Sequence, residues 1–183
     1  MPLQRTLEVL RRKVGLRGAV MIAVLLAAAM MVTKLFVMAA LVVLAFTLTM
    51  IVRTFHLRIL GIELVTFLTI LAGYLYGPET GMVVGIVSIL FHLIGGGYSF
   101  GLYYLCILPT YVLIGLLAGV WSAQPITSLG IDLVLLVNGI NFLFTLLVTP
   151  GGLARHVPFV ITDVLFNVML FTLFAPALIA ILA

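Results

Sequence analysis

The sequence predicts an all-helical, multi-pass membrane protein, and two features carry that prediction. Of its 183 residues, 65% are hydrophobic and 8% are charged, against about 45–50% apolar and about 25% charged in an ordinary globular domain. Nine Lys and Arg with five Asp and Glu cannot cover the surface of a soluble fold of this length. The second feature is the apolar runs, several of which reach the roughly 20 residues that a bilayer crossing needs. Soluble enzymes, disordered segments and nucleic-acid-binding modules are thereby excluded. The single cysteine, Cys106, excludes an internal disulfide and any CxxC metal or redox motif.

Residues 1–17 read as a basic tail with Arg5, Arg11, Arg12, Lys13 and Arg17. Basic residues ahead of an apolar helix hold an N-terminus in the cytoplasm. A cleavable signal peptide would have an apolar region of only about 7–15 residues. Here apolar sequence runs from Gly18 to Val52, broken only by threonines and Lys34. Residues 18–183 then form a single transmembrane domain with candidate helices at 18–33, 35–52, 60–77, 80–95, 100–121, 129–149 and 157–182.

The breaks between these segments have chemical causes. Gly77-Pro78-Glu79 is a turn, Gly95 to Ser99 a flexible loop, and Ser122 to Ser128 a polar one containing Pro125. The longest break runs from Thr149 through Pro150-Gly151-Gly152 and Arg155-His156 to Pro158, which opens the last helix. Proline removes a donor and consecutive glycines cost backbone entropy, so both end helices. The boundary at Thr33-Lys34 has neither. Residues 18–52 as one helix would be about 52 Å long, so either two helices meet there or the first segment lies partly in the interface.

Charge bears on orientation. With seven crossings and the tail inside, Arg53, Arg58 and Arg155 join the five basic residues of the tail on the inner side, and Lys34 alone falls outside. If the first segment does not cross, those three arginines lie outside. Both topologies place 53–58, 95–99 and 149–157 at the same end of the bundle, because that follows from helix parity.

Polar and ionisable groups inside a membrane are costly and are candidate functional residues. Asn138 and Asn141 are three apart, and Asp163 and Asn167 four apart, so each pair shares a helix face. The plainer role for such groups is hydrogen bonding between helices. Arg58, His92, Arg155 and His156 lie in or beside the three loops of one end, and Tyr98 and Tyr103 stand close by. Together they suit a small anionic or heterocyclic ligand bound by hydrogen bonds and ring stacking. The aromatic belt of a membrane protein is the alternative for the tyrosines, and Trp121 fits that belt. The histidine spacing matches no metal motif.

Gly73, Gly77, Gly81 and Gly85 recur every four positions, and Gly115 and Gly119 repeat the spacing, which lets helix backbones approach closely. Ala19, Ala23 and Ala27 repeat it in the first segment, where an end helix has a face to dock another subunit. With neither GxSxG nor GxxxxGK[ST] present, the chain is not expected to be an enzyme, and no cofactor is implied.

The stretch from Ile70 to Gly85, with Gly77-Pro78 at its centre, resembles the turn between the second and third helices of S components. These are the substrate-capture subunits of energy-coupling factor (ECF) vitamin transporters. The Gly95–Gly97 loop, the helix with Gly115 and Gly119, and the last helix with Pro158 and Asp163 are similar too, so the likeness covers roughly residues 37–182. It implies a six-helix core, here preceded by an extra N-terminal hydrophobic helix. It implies binding of a small water-soluble vitamin or micronutrient from outside a prokaryotic plasma membrane. It also implies partners: a membrane coupling subunit and two ATPases. In the family, loops after the first, third and fifth core helices cover the substrate, here 53–60, 95–99 and 149–157. Its AxxxA docking motif matches Ala19, Ala23 and Ala27 in spacing, but these precede the core, and within 37–52 Ala40 and Ala45 miss it. The seven-crossing count puts the substrate loops inside and the resemblance puts them outside, so one of the two is wrong. An accessory subunit of a larger membrane complex is the main rival. An ion-coupled carrier using Asp132 and Asp163 is another.

Overall fold

The structure is a computed structural model that describes the backbone of residues 2–57, 59–98 and 101–182. Side chains 1–19, Ala27, Ala29, Met30, Thr33 and Leu35 lie outside the description, so Ala19 and Ala27 are not placed as docking residues. Arg58 lies outside the described residues altogether.

Among the described residues the chain is helical without strands. Helix α1 spans Pro2–Thr54, α2 Val65–Tyr76, α3 Pro78–Gly95, α4 Tyr103–Val120 and α5 Ile126–Val148. A 3-10 turn at Pro150–Gly152 leads into α6, Leu153–Met169, which continues through a π turn at Leu170–Phe174 into α7, Ala175–Leu182. The chain divides into two compact units, Met1–Ala39 and Ala40–Ala183. In the first, the apolar side chains Val20, Met21, Leu25 and Val32 and the small Ala23 are all exposed.

The open boundary at Thr33-Lys34 is settled locally: α1 runs through it with no turn. The hairpin that seven crossings require is absent there, as the lack of Gly or Pro explains. Among the described residues, five helical stretches are long and apolar enough to span a membrane: Phe36–Thr54, Pro78–Gly95, Tyr103–Val120, Ile126–Val148 and Pro150–Leu182. Helix α2, with 12 residues, is about 18 Å long and falls short of a full crossing by itself.

That short helix is the centre of the second unit. Every residue from Val65 to Gly73 is buried, and α2 packs against α3, α4, α5 and α7. A residue inside such a ring must be apolar or bonded, and the α2 threonines obey: Thr69 donates to the Val65 carbonyl (2.7 Å), and Thr66 contacts the Tyr111 hydroxyl (2.8 Å). Phe67 meets Phe171 at 4.9 Å between ring centroids, tying α2 to the π turn.

The glycine spacing does what close packing asks of it. A Cβ on Gly73 or Gly81 would strike the Gly115 carbonyl, one on Gly85 the Tyr111 carbonyl, and one on Gly119 the backbone of Pro78. Helices α2, α3 and α4 therefore meet backbone to backbone, the contact that small residues permit in lipid. Gly77 differs, since a Cβ there meets nothing. Its φ of 93° is the requirement: a left-handed residue reverses the chain, and Pro78 starts α3 immediately.

The last helix corrects one expectation. It opens at Leu153, not at Pro158, which lies inside it. The 3-10 turn begun by Pro150 already points the chain along the axis. Pro158 lacks an N–H for the carbonyl of Ala154, and Ala154 is exposed, so the loss falls where solvent or headgroups can reach. At the π turn, the Phe171 carbonyl accepts from the Thr127 hydroxyl at 3.1 Å.

Candidate functional site

Antiparallel connection brings the C-terminal ends of α3 and α5 to the N-terminal ends of α2, α4 and α6. There they enclose a cavity of about 170 Å³. Of the candidates, His92 comes from α3, Tyr98 from the loop after it, Tyr103 from α4, Asn138 and Asn141 from α5, and His156 and Asp163 from α6. The three-residue spacing on α5 and the turn-by-turn spacing on α6 aim these groups at one volume. Glu63, Thr66 and Tyr111 complete its polar wall.

Asp163 is 3% exposed, and both carboxylate oxygens are held: Oδ2 accepts from Asn138 Nδ2 at 2.6 Å, Oδ1 from Asn167 Nδ2 at 3.0 Å. Asn167 does not line the cavity; it sits behind Asp163, one turn on along α6, and also donates to the Asp163 backbone carbonyl at 3.2 Å. The face shared by Asp163 and Asn167 is thus a clamp within α6, and Asn138 closes it from α5.

Glu63 is a second buried carboxyl, 6% exposed, at the end of the α1–α2 loop. It caps α2 by accepting from the backbone N–H of Val65 and, at 3.1 Å, of Thr66. Such a carboxylate at a helix N-terminus is favoured by the dipole and its orphan donors. Burial nevertheless pushes the Glu63 carboxyl above its ordinary range, outweighing the hydrogen bonds from Thr66, Val65 and Asn167 that pull it down. Its loop is laid on α6 by Gly61, whose N–H donates to Thr162 Oγ1 at 2.8 Å and whose Cα leaves no room for a Cβ against Asp163. The charges of Glu63 and Asp163 act on one another across the cavity.

Two polar atoms at the cavity have no hydrogen-bond partner among the described residues: Asn141 Oδ1, on a side chain 5% exposed, and His156 Nε2. Buried polar groups are nearly always bonded, so such atoms mark where a ligand or water would bond. The rings form the rest of the wall. His92 stacks on Tyr98 at 5.6 Å, and His156 stacks on Phe159 at 5.8 Å and on Phe142 at 6.4 Å. His92 is fixed from α1, where Thr49 Oγ1 lies 3.0 Å from its Nδ1.

A wider outer cavity, about 490 Å³, shares Tyr98, Tyr103, His156 and Phe159 with the inner one. Arg155 belongs to it alone and is exposed. Asp132 is exposed and lines neither cavity. Among the described residues, no three of His, Cys, Asp and Glu converge as metal ligands would.

Sequence reading passed over Glu63 and Thr66, while Tyr111 stood in it only as one of the aromatics of α4 that could stack on a flat ligand. Glu63 carried a usable signal, an acidic residue inside the apolar run Ile62-Glu63-Leu64, where any ionisable group is a candidate. Thr66 carried none, since threonine is common in membrane helices. Comparison with known proteins adds no assignment: no family model, curated protein or solved structure matches the chain.

Proposed function

We propose that this chain is the substrate-capture subunit of a membrane uptake system, akin to an ECF S component, and is not itself an enzyme. The observation that carries the reading is the cavity, with its orphaned Asn141 Oδ1 and His156 Nε2. Asn138 and Asp163, by contrast, bond one another between α5 and α6, and a third partnerless atom, Asn167 Oδ1, lies behind Asp163 and off the cavity wall. Atoms held bare beside an empty volume are costly unless something else bonds them. The protein's work in this reading is to bind, orient and desolvate a small polar molecule behind Tyr98, Tyr103, His156 and Phe159, which separate the outer cavity from the inner one.

Orientation follows from chain order. In chain order the basic tail and Lys34 precede the Phe36–Thr54 span, and Arg53, Arg58 and Arg155 follow its apolar part. Six basic residues before the span against three after it support a cytoplasmic tail by the charge rule, and capture of an external solute requires a cavity mouth on the outer side. The membrane is then a prokaryotic plasma membrane. Energy comes from partners, a coupling membrane subunit and two ATPases, and the alanine face of Ala19, Ala23 and Ala27 is where docking would occur.

Purification from native membranes in mild detergent, with mass spectrometry of co-eluting proteins and small molecules, tests the whole reading. The expected eluate holds two P-loop ATPases, a second membrane subunit and a small polar solute. Other membrane proteins with neither ATPase nor solute would make the chain an accessory subunit.

A further inference from the structure

Resting on that reading, we infer that the inner cavity selects a flat, single-ring cation rich in N–H donors, an amidine or a protonated amino-heterocycle, and rejects the corresponding carboxylate. The inference follows from counting which atoms remain able to bond. Asn138 Nδ2 has two hydrogens, and both are used, on Val134 O at 3.0 Å and Asp163 Oδ2 at 2.6 Å. What Asn138 can offer a ligand is its oxygen. Asn141 likewise presents an oxygen without a partner.

The same logic fixes His92. The single hydrogen of the Thr49 hydroxyl goes to the Ala45 carbonyl at 3.0 Å, so across the 3.0 Å contact the histidine Nδ1–H must donate to Thr49 Oγ1. That leaves Nε2 of a neutral His92 as an acceptor. With the carboxyls of Glu63 and Asp163, these two amide oxygens and the ring nitrogen give the polar wall five acceptor groups. Among the described residues that line the inner cavity, none is Lys or Arg.

Two carboxyls in one apolar enclosure cannot both ionise without a counter-charge. A cation seated between them supplies it and adds N–H donors to carboxyl oxygens that still have lone pairs free. Stacked rings at the wall favour the same guest, because an aromatic face attracts cations. Size sets the limit. About 170 Å³ is close to the roughly 150 Å³ cavity known to hold benzene, so one ring fits and any longer substituent lies in the outer cavity.

The test uses the full-length purified protein in detergent, stripped of co-purifying solute, and three isosteric probes: benzamidine, benzamide and benzoate. Binding is read by thermal shift and calorimetry at neutral pH. Benzamidine is expected to bind, benzamide more weakly and benzoate undetectably. The Asp163→Asn and Glu63→Gln variants each weaken benzamidine by about tenfold or more, as loss of a charge-assisted bond predicts. They change benzamide by about threefold or less, since neutral bonds are the weaker kind. Either variant serves if the other fails to fold. Benzoate binding as well as benzamidine, or benzamidine indifferent to both variants, overturns the inference and leaves the capture reading standing. No binding of any probe also overturns it, and the co-purified solute then decides the capture reading separately.

Discussion

Asn167 shows best how a single side chain can serve a site it does not touch. It is fully buried, and its amide nitrogen holds Asp163 by both the carboxylate and the backbone. Replacing it by Leu removes the donor and strands a buried carboxylate oxygen, a loss of about 1–3 kcal/mol in stability. Replacing it by Asp, nearly the same shape, should be worse at neutral pH, because a third carboxylate then faces Asp163. The order should reverse at acidic pH, where a protonated carboxyl can donate to its neighbour and a leucine cannot. Thermal unfolding of Asn167→Leu and Asn167→Asp across that range checks both statements. If Asn167 merely filled space, the two curves would run parallel. The spacing of Asp163 and Asn167 was legible in the sequence as a shared face. That the pair acts as clamp and clamped was not, because spacing cannot say which member of a helix face meets a cavity and which lies behind it.

Elements differ in how openly their causes stand in the sequence. The turn at Gly77-Pro78 and the close approach of α2, α3 and α4 are readable, since glycine at every fourth position has few other uses in lipid. The run through Lys34 was not decidable, because a long apolar helix and a tight hairpin differ there by no residue that punctuates. Helix α2 was misjudged in length: residues 60–64 are as apolar as a helix start but form the loop that Gly61 lays on α6 and Glu63 caps. Tertiary contact with α6 decides that boundary, and no local pattern reports it. The three-helix glycine contact yields a direct expectation. Gly81→Val inserts a branched side chain against the Gly115 carbonyl, and overpacking of this kind costs about 1–3 kcal/mol or more. Gly139→Val, where a Cβ meets nothing within contact distance, should cost far less. Midpoints of thermal unfolding for the two variants, taken in one detergent, should separate clearly, and equal midpoints would remove the glycine packing from the account.

At the scale of the molecule, alternation of helix direction gathers Glu63, His92, Tyr98, Asn141 and Asp163 at one end of the unit Ala40–Ala183, although the sequence spreads them over a hundred residues. Parity alone predicted that gathering of loops, whichever number of crossings held, so the site was legible as a neighbourhood before it was legible as a cavity. What parity leaves undetermined is which side of the membrane the cavity faces, and the proposed role stands or falls on it. Two exposed positions at opposite ends report it: Gly151, in the turn before α6, and Ser122, in the loop after α4. With the native thiol removed by Cys106→Ser, Gly151→Cys is expected to react with a membrane-impermeant maleimide in intact cells. Ser122→Cys should react only after permeabilisation. The opposite pattern would put the acceptor-lined cavity on the cytoplasmic side. A chain so oriented could not capture a solute from the medium, and its buried carboxyls would need another partner.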